Sequence, residues 1–298
     1  MKSPPKLKSG DLIYICSPAK AIEKEYIDYA TNYLKNKGFR VLVSQNATKR
    51  HNYFSGSDEI RAKDFQDGLD NEEVKAILCA RGGYGCVRIL NYLNWASFLK
   101  NPKWILGFSD ITVLHHKIFN LGIKSIHSSM PLNFPENTYE ALNTLISNIS
   151  GENNSISFKN SPKNKVGEAM GTLIGGNLSI IYSMLGTPLS YQFENSILFI
   201  EDVGEQLYAI DRMLYALEKA QVFEKINGLI VGGMTELKDT DISTGLVFED
   251  IVLDQLKYRK IPVCFDAPIG HIRDNRAVQI GSEANLKINN DRSILSYL

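Results

Sequence analysis

No stretch of this 298-residue chain approaches the ~18 uninterrupted apolar residues that a membrane-spanning helix requires. The basic N-terminus, with Lys2, Lys6 and Lys8, is followed only by the short run Leu12–Cys16, bracketed by Asp11 and Pro18. That run is too short for the apolar segment of a secretion signal, so the sequence predicts a soluble, cytoplasmic protein. Charge of either sign is not in excess, because 33 Lys and Arg face 33 Asp and Glu. A chain with no net field is a poor match for nucleic acid, and neither that nor a membrane is expected as a partner. Paired cysteines are missing too. Four cysteines occur without any CxxC spacing. Cys16, Cys79 and Cys264 lie in or at the ends of strand-like runs and read as reduced core thiols. Cys79 and Cys86 flank a glycine loop, which leaves a redox role as the alternative. No HExxH and no His/Asp/Cys cluster at ligand spacing occurs, so metal chemistry is disfavoured. Internal repeats and low-complexity tracts are absent as well.

What the chain does have is an ordinary globular composition, 44% hydrophobic and 22% charged, and enough length for one large domain or two ordinary ones. Strand and helix signals alternate in the first half. Strands are predicted at Leu12–Ser17, Phe39–Ser44, Val74–Ala80, Trp104–Phe108 and Lys124–His127. Helices are predicted at 23–37, closed by Gly38, at about 57–69, and at 110–120. Near-continuous apolar strands in βαβα order argue for an α/β fold with a parallel sheet covered by helices on both faces. From Ser147 to Lys165 the chain turns polar and rich in turn formers, which suggests a linker over 148–166 between domains at 1–147 and 167–298. The second half opens on the glycine-punctuated run Gly167–Gly176 and an apolar helix at 178–185. Ile197–Ile200 follows as a strand, ending in Glu201-Asp202. A helix at 206–220 sets Leu207, Ile210, Leu214 and Leu217 on one stripe.

Two loops stand out for chemistry. Arg81-Gly82-Gly83-Tyr84-Gly85 follows a strand and precedes a helix, where amides without an intervening Cβ can approach a phosphate or an oxyanion. Its spacing fits neither GxxxxGK[ST] nor GxGxxG, and a plain βα turn is the alternative. Trp104-Ile105-Leu106-Gly107-Phe108-Ser109-Asp110 reads as a strand turning into a helix with a serine at the corner. It matches the G-x-S-x-G elbow only in part, because Ile111 replaces the second glycine. A helix N-cap is the competing explanation for Ser109.

A nucleophilic serine needs a base and an orienting group. His51 lies in a polar segment, His115 and His116 are neighbours on one helix and cannot face one site together, and His127 ends a short strand. His271, in the tight loop Pro268-Ile269-Gly270-His271, is a rigidly held candidate base. Glu201 ends an apolar strand, where a half-buried carboxylate needs a specific partner. These residues make a Ser–Glu–His set.

With those pieces assembled, the chain resembles the LD-carboxypeptidases that trim muropeptides, with the related microcin C self-immunity peptidases. The resemblance spans nearly the whole chain. It rests on Ala80-Arg81-Gly82-Gly83-Tyr84-Gly85, Gly107-Phe108-Ser109-Asp110-Ile111-Thr112, Leu173-Ile174-Gly175-Gly176-Asn177-Leu178, Ile200-Glu201-Asp202-Val203-Gly204-Glu205 and Gly270-His271. It implies a serine peptidase with Ser109 as nucleophile, Glu201 as acid and His271 as base, without a cofactor. It also implies an oxyanion hole from the amides of Gly83 (or Gly82) and Asp110. The implied fold is an N-terminal domain like the class I glutamine amidotransferases and a C-terminal swivelling β/α domain, with the site between them, in a homodimer. The implied reaction frees the C-terminal D-alanine of a muropeptide tetrapeptide during murein recycling. His127-Ser128-Ser129-Met130 and Gln279-Ile280-Gly281 depart from the family's usual His-Gly-Pro-Met and Pro-Ile-Gly or Pro-Leu-Gly. These departures leave the substrate open, and a microcin C-type aminoacyl nucleotide is the alternative. A non-catalytic anion-binding module is the second alternative.

Overall fold

Strands built almost wholly from apolar residues bury both faces, and three of the five strands in the first half of the chain, Leu12–Cys16, Val74–Cys79 and Trp104–Gly107, are of this kind. The computed structural model describes residues 1–152 and 155–298. Asn153 and Asn154, within the expected linker span, lie outside the described residues. The strands are β1 (Leu12–Cys16), β2 (Arg40–Val43), β3 (Val74–Cys79), β4 (Trp104–Gly107), β5 (Ser125–His127), β6 (Ile156–Lys159) and β7 (Gly167–Asn177). They continue with β8 (Ser196–Val203), β9 (Ile226–Thr235), β10 (Val263–Cys264), β11 (Val278–Ile280), β12 (Glu283–Ile288) and β13 (Arg292–Tyr297). The chain divides into two units, one of Met1–Asn153 with Arg273–Gln279, the other of Asn154–Ile272 with Ile280–Leu298.

The first unit carries a six-stranded sheet in the order β11-β5-β4-β3-β1-β2. Pairing is parallel from β2 through β5, with Ile13 opposite Val41 and Ile77 opposite Ile105. Parallel pairing puts the carboxyl ends of β1, β3 and β4 along one edge, so the loops that follow them share that edge. Ile13, Ile15, Leu78 and Leu106 join Ile27, Ala30 and Leu34 of helix Lys24–Asn36 and Leu145 and Ile149 of helix Tyr139–Ser150 in one core. Ala277 of the returning segment belongs to the same core. Helix Asp58–Asp70 starts where Ser57 accepts a hydrogen bond from the Ile60 amide.

The second unit has a mixed seven-stranded sheet, β10-β9-β8-β7-β12-β13-β6. β7 through β10 run parallel, whereas β12, β13 and β6 add antiparallel. The parallel sheet expected from the first half is therefore only part of the architecture. β6, β12 and β13 went unread because their apolar residues alternate with polar ones over short runs. The span 148–166 holds the end of helix Tyr139–Ser150 as well as β6. Helix Leu207–Lys219 buries Ile210, Met213, Leu214 and Leu217. No helix among the described residues is long and apolar enough to cross a membrane.

Candidate functional site

In the first unit, β4 ends at Gly107 and the chain turns through Phe108 into a short 3₁₀ turn, Ser109–Ile111, that feeds helix Thr112–Asn120. Ser109 sits at φ +63°, in the left-handed region that costs an L-residue roughly 1–2 kcal/mol. The N-cap reading is not what the local geometry gives. Helix Thr112–Asn120 is preceded by Ile111 at its cap position, with no side-chain capping bond. A serine at positive φ between a strand end and a helix has instead the backbone geometry of a strand-to-helix elbow.

The corner is held from beneath. The Gly107 carbonyl accepts a hydrogen bond from the Ser128 amide at 3.1 Å and another from His115 Nε2 at 2.9 Å. His115 is wholly buried, and its Nδ1 lies 2.8 Å from the Ser125 hydroxyl. Donation from Nε2 to a carbonyl leaves Nδ1 to accept from Ser125, which fixes a neutral tautomer. Burial pushes His115 down to about 4. His115 is thus a brace for the turn and not a base, and its partner Ser125 stands ten residues on, with no motif to mark the pair.

Beside the corner lies the glycine loop. A Cβ on Gly82 would fall 2.9 Å from Ser109 Cβ, 3.1 Å from Ser109 Oγ and 3.2 Å from the Asp110 nitrogen, so only glycine allows this approach. Gly83 has φ +105° and is exposed, while Gly82 is buried. Asp110 turns its buried carboxylate toward the loop's helix, where Oδ2 accepts the Cys86 amide at 2.8 Å. Burial raises the Asp110 pKa against the hydrogen bonds from Cys86 and the charge of Arg61. Arg61 is itself fully buried: it pairs with Asp58, donates to the Gly85 carbonyl at 3.0 Å and stacks over Phe54 at 4.8 Å. The loop is therefore clamped to the serine turn through Asp110 and to helix Asp58–Asp70 through Arg61. Sequence reasoning passed over Arg61 because a lone arginine in a polar helix looks like surface.

Glu201 and His271 lie together in the second unit. Glu201, near the carboxyl end of β8, is fully buried, and its Oε2 accepts a hydrogen bond from His271 Nδ1 at 2.6 Å. With Nδ1 as donor, Nε2 of a neutral His271 is left to accept a proton. Burial lowers the His271 pKa, but Glu201, with Asp202 and Glu236 further off, outweighs it and the net shift is upward. Gly270, at φ +106°, makes room for this pair, since a Cβ there would lie 2.6 Å from Glu201 Oε2. Asp202 faces the other way along the strand and takes the Ser179 amide at 2.9 Å, so the Glu201-Asp202 doublet splits into two duties.

The remaining candidates resolve plainly. His51 is exposed, and His116 and His127 are buried. All four cysteines are buried free thiols, and burial pushes each of them upward, Cys264 to about 12.

Both units thus place their chemical groups at the carboxyl ends of parallel strands, as hydrolytic α/β enzymes do. The chain belongs to the LD-carboxypeptidase family of serine peptidases. Residues 13–128 match that family's N-terminal domain and residues 170–286 its C-terminal domain. A solved muramoyltetrapeptide carboxypeptidase from Oxalobacter formigenes superposes with a TM-score of 0.88, at 30% identity, over 96% of this chain and 98% of that one. A murein tetrapeptide carboxypeptidase of Pseudomonas aeruginosa is 28% identical over 93% of each chain. A microcin self-immunity protein of Escherichia coli is 26% identical over 95% of this chain and 92% of its own.

Proposed function

We propose that this chain is a cytoplasmic serine carboxypeptidase that hydrolyses the L,D-peptide bond to the C-terminal D-alanine of muropeptide tetrapeptides. The observation that carries the reading is Ser109 at positive φ on a strand end, with Gly82 packed against it. Similarity to relatives named for murein tetrapeptides supplies the substrate. In this mechanism Ser109 Oγ attacks the scissile carbonyl and His271 Nε2 takes its proton. Glu201 fixes the imidazole tautomer and stabilises the imidazolium. The tetrahedral oxyanion is received by the amides of Asp110 and Gly83, each worth roughly 10²–10³ in rate. Support for Gly83 over Gly82 comes from the peptide that joins them. Its carbonyl accepts the Lys20 amide at 3.3 Å, so the Gly83 N–H of that planar trans unit is turned the opposite way. His271 next protonates the leaving D-alanine, and water then enters by the same route to free Ser109. The reading requires Ser109 of the first unit and His271 of the second to act on one substrate, and it includes the homodimer that the resemblance implies.

The test is mass spectrometry of a defined muropeptide mixture. Wild type is expected to release D-alanine from tetrapeptides, and Ser109→Ala to release none while melting near the wild-type temperature. Retained activity in Ser109→Ala would reject the nucleophile. The relationship to the microcin self-immunity protein favours one second reading, a peptidase for an aminoacyl nucleotide. Faster cleavage of an aminoacyl-sulfamoyl adenylate than of the tetrapeptide would select it.

A further inference from the structure

Lys20, Tyr53 and Arg81 surround the outer face of the glycine loop, and nothing in the catalytic reading uses their side chains. The backbone holds the first two in place. Lys20 pairs with Phe54 in an antiparallel bridge, the Ala21 amide donates to the Tyr53 carbonyl at 3.0 Å, and the Lys20 amide donates to Gly82. Segments 19–21 and 53–55 are thereby laced to the loop as a small ladder. Both side chains converge on Gly83: a Cβ there would lie 2.8 Å from the Tyr53 hydroxyl and 3.0 Å from Lys20 Cβ. The Lys20 ammonium lies 4.7 Å over the Tyr53 ring. Arg81, next along the loop, donates through one Nη to the Ala21 carbonyl at 3.2 Å, and its charge acts on Tyr53.

Neither Lys20 nor Arg81 has a carboxylate within ion-pair distance among the described residues, although 33 acidic side chains balance the basic ones overall. The acid in the neighbourhood, Asp110, is buried behind the loop and engaged by Cys86. Two cations and a phenol without internal counter-charge, on a scaffold fixed to an oxyanion donor, suit an anionic group. The position selects which anion. In a peptide that loses only its last residue, the terminal carboxylate carbon is three bonds past the scissile carbonyl carbon, within about 4 Å of it. A carboxypeptidase therefore needs its carboxylate receptor directly beside the oxyanion donors, and Lys20 and Tyr53 touch the space over Gly83.

We propose that Lys20, Tyr53 and Arg81 form a carboxylate subsite that receives the free C-terminus of the peptide and so restricts cleavage to its last bond. The inference rests on the carboxypeptidase reading. It is tested by comparing a tetrapeptide with a free C-terminus against the same peptide carrying a C-terminal carboxamide, in wild type, Lys20→Met and Lys20→Arg. Wild type is expected to favour the free acid. Lys20→Met should lose about 10- to 100-fold in kcat/KM on the acid, mainly through KM, and little on the carboxamide. Lys20→Arg should keep the preference, and all three should label at Ser109 with a fluorophosphonate at similar rates. An equal loss on both substrates, or no loss on either, overturns the subsite while the peptidase reading stands. A wild type that cleaves neither substrate overturns that reading and the subsite with it.

Discussion

At the scale of single residues, the proposed mechanism makes His271 decide when the chemistry can run. Its pKa is raised, so the protonated ring persists to higher pH than for a free histidine, and a protonated ring cannot accept the Ser109 proton. The acid limb of kcat/KM should therefore fall above the free-histidine value of about 6.5. Glu201→Gln removes the charge that raises the pKa and leaves burial, which lowers it. The limb should move toward acid while kcat drops on the order of 10³–10⁴-fold, read from a pH–rate profile. The stability sign is the reverse of the catalytic one. A raised folded pKa contributes stability fully present below about 6.5 and lost as pH rises through the folded value. Chemical denaturation across pH 5 to 9 should show that decline in wild type and a flatter curve in Glu201→Gln.

At the scale of elements, the site depends on backbones that approach closely. Gly82→Ala would drive a Cβ to 2.9 Å from Ser109, displacing either the glycine loop or the serine turn. We expect a fall of about 10²–10³ in kcat, comparable to losing one oxyanion donor, with slower fluorophosphonate labelling of Ser109. An unchanged labelling rate would show that the loop yields without harm. Much of this was legible in sequence. β1, β3 and β4 stand out as near-continuous apolar runs, and the glycine loop and Ser109 follow the carboxyl ends of β3 and β4. The bracing was not legible. Asp110 to Cys86, His115 to Ser125 and Arg61 to Gly85 are contacts 10 to 24 residues apart that follow no periodicity. The antiparallel strands β6, β12 and β13 were missed for a different reason, since half-buried alternation over four to six residues is a weak signal.

At the scale of the whole molecule, the first unit is not made from one continuous piece of chain. Arg273–Gln279 returns to it, bringing β11 alongside β5 and Ala277 into the core. The return is fastened by hydrogen bonds from Asn148 to the Ala277 carbonyl at 3.1 Å, Ala277 to Thr144 at 2.9 Å, and Ser129 to the Asn275 carbonyl at 3.2 Å. A fragment ending at Glu152 would leave β5 as an unpaired edge, open to pairing with other chains. We expect that fragment to aggregate and to lack a cooperative near-ultraviolet circular-dichroism transition. The same fragment with residues 273–280 appended through a short linker should recover one. On the ribosome this has a consequence in time. Ser109, its glycine loop and their braces are all synthesised within the first 130 residues, yet the sheet that carries them cannot close until residue 280 emerges. At about 5–20 residues per second, the nascent unit waits roughly 8–30 s with that edge open, an interval in which a chaperone has cause to hold it.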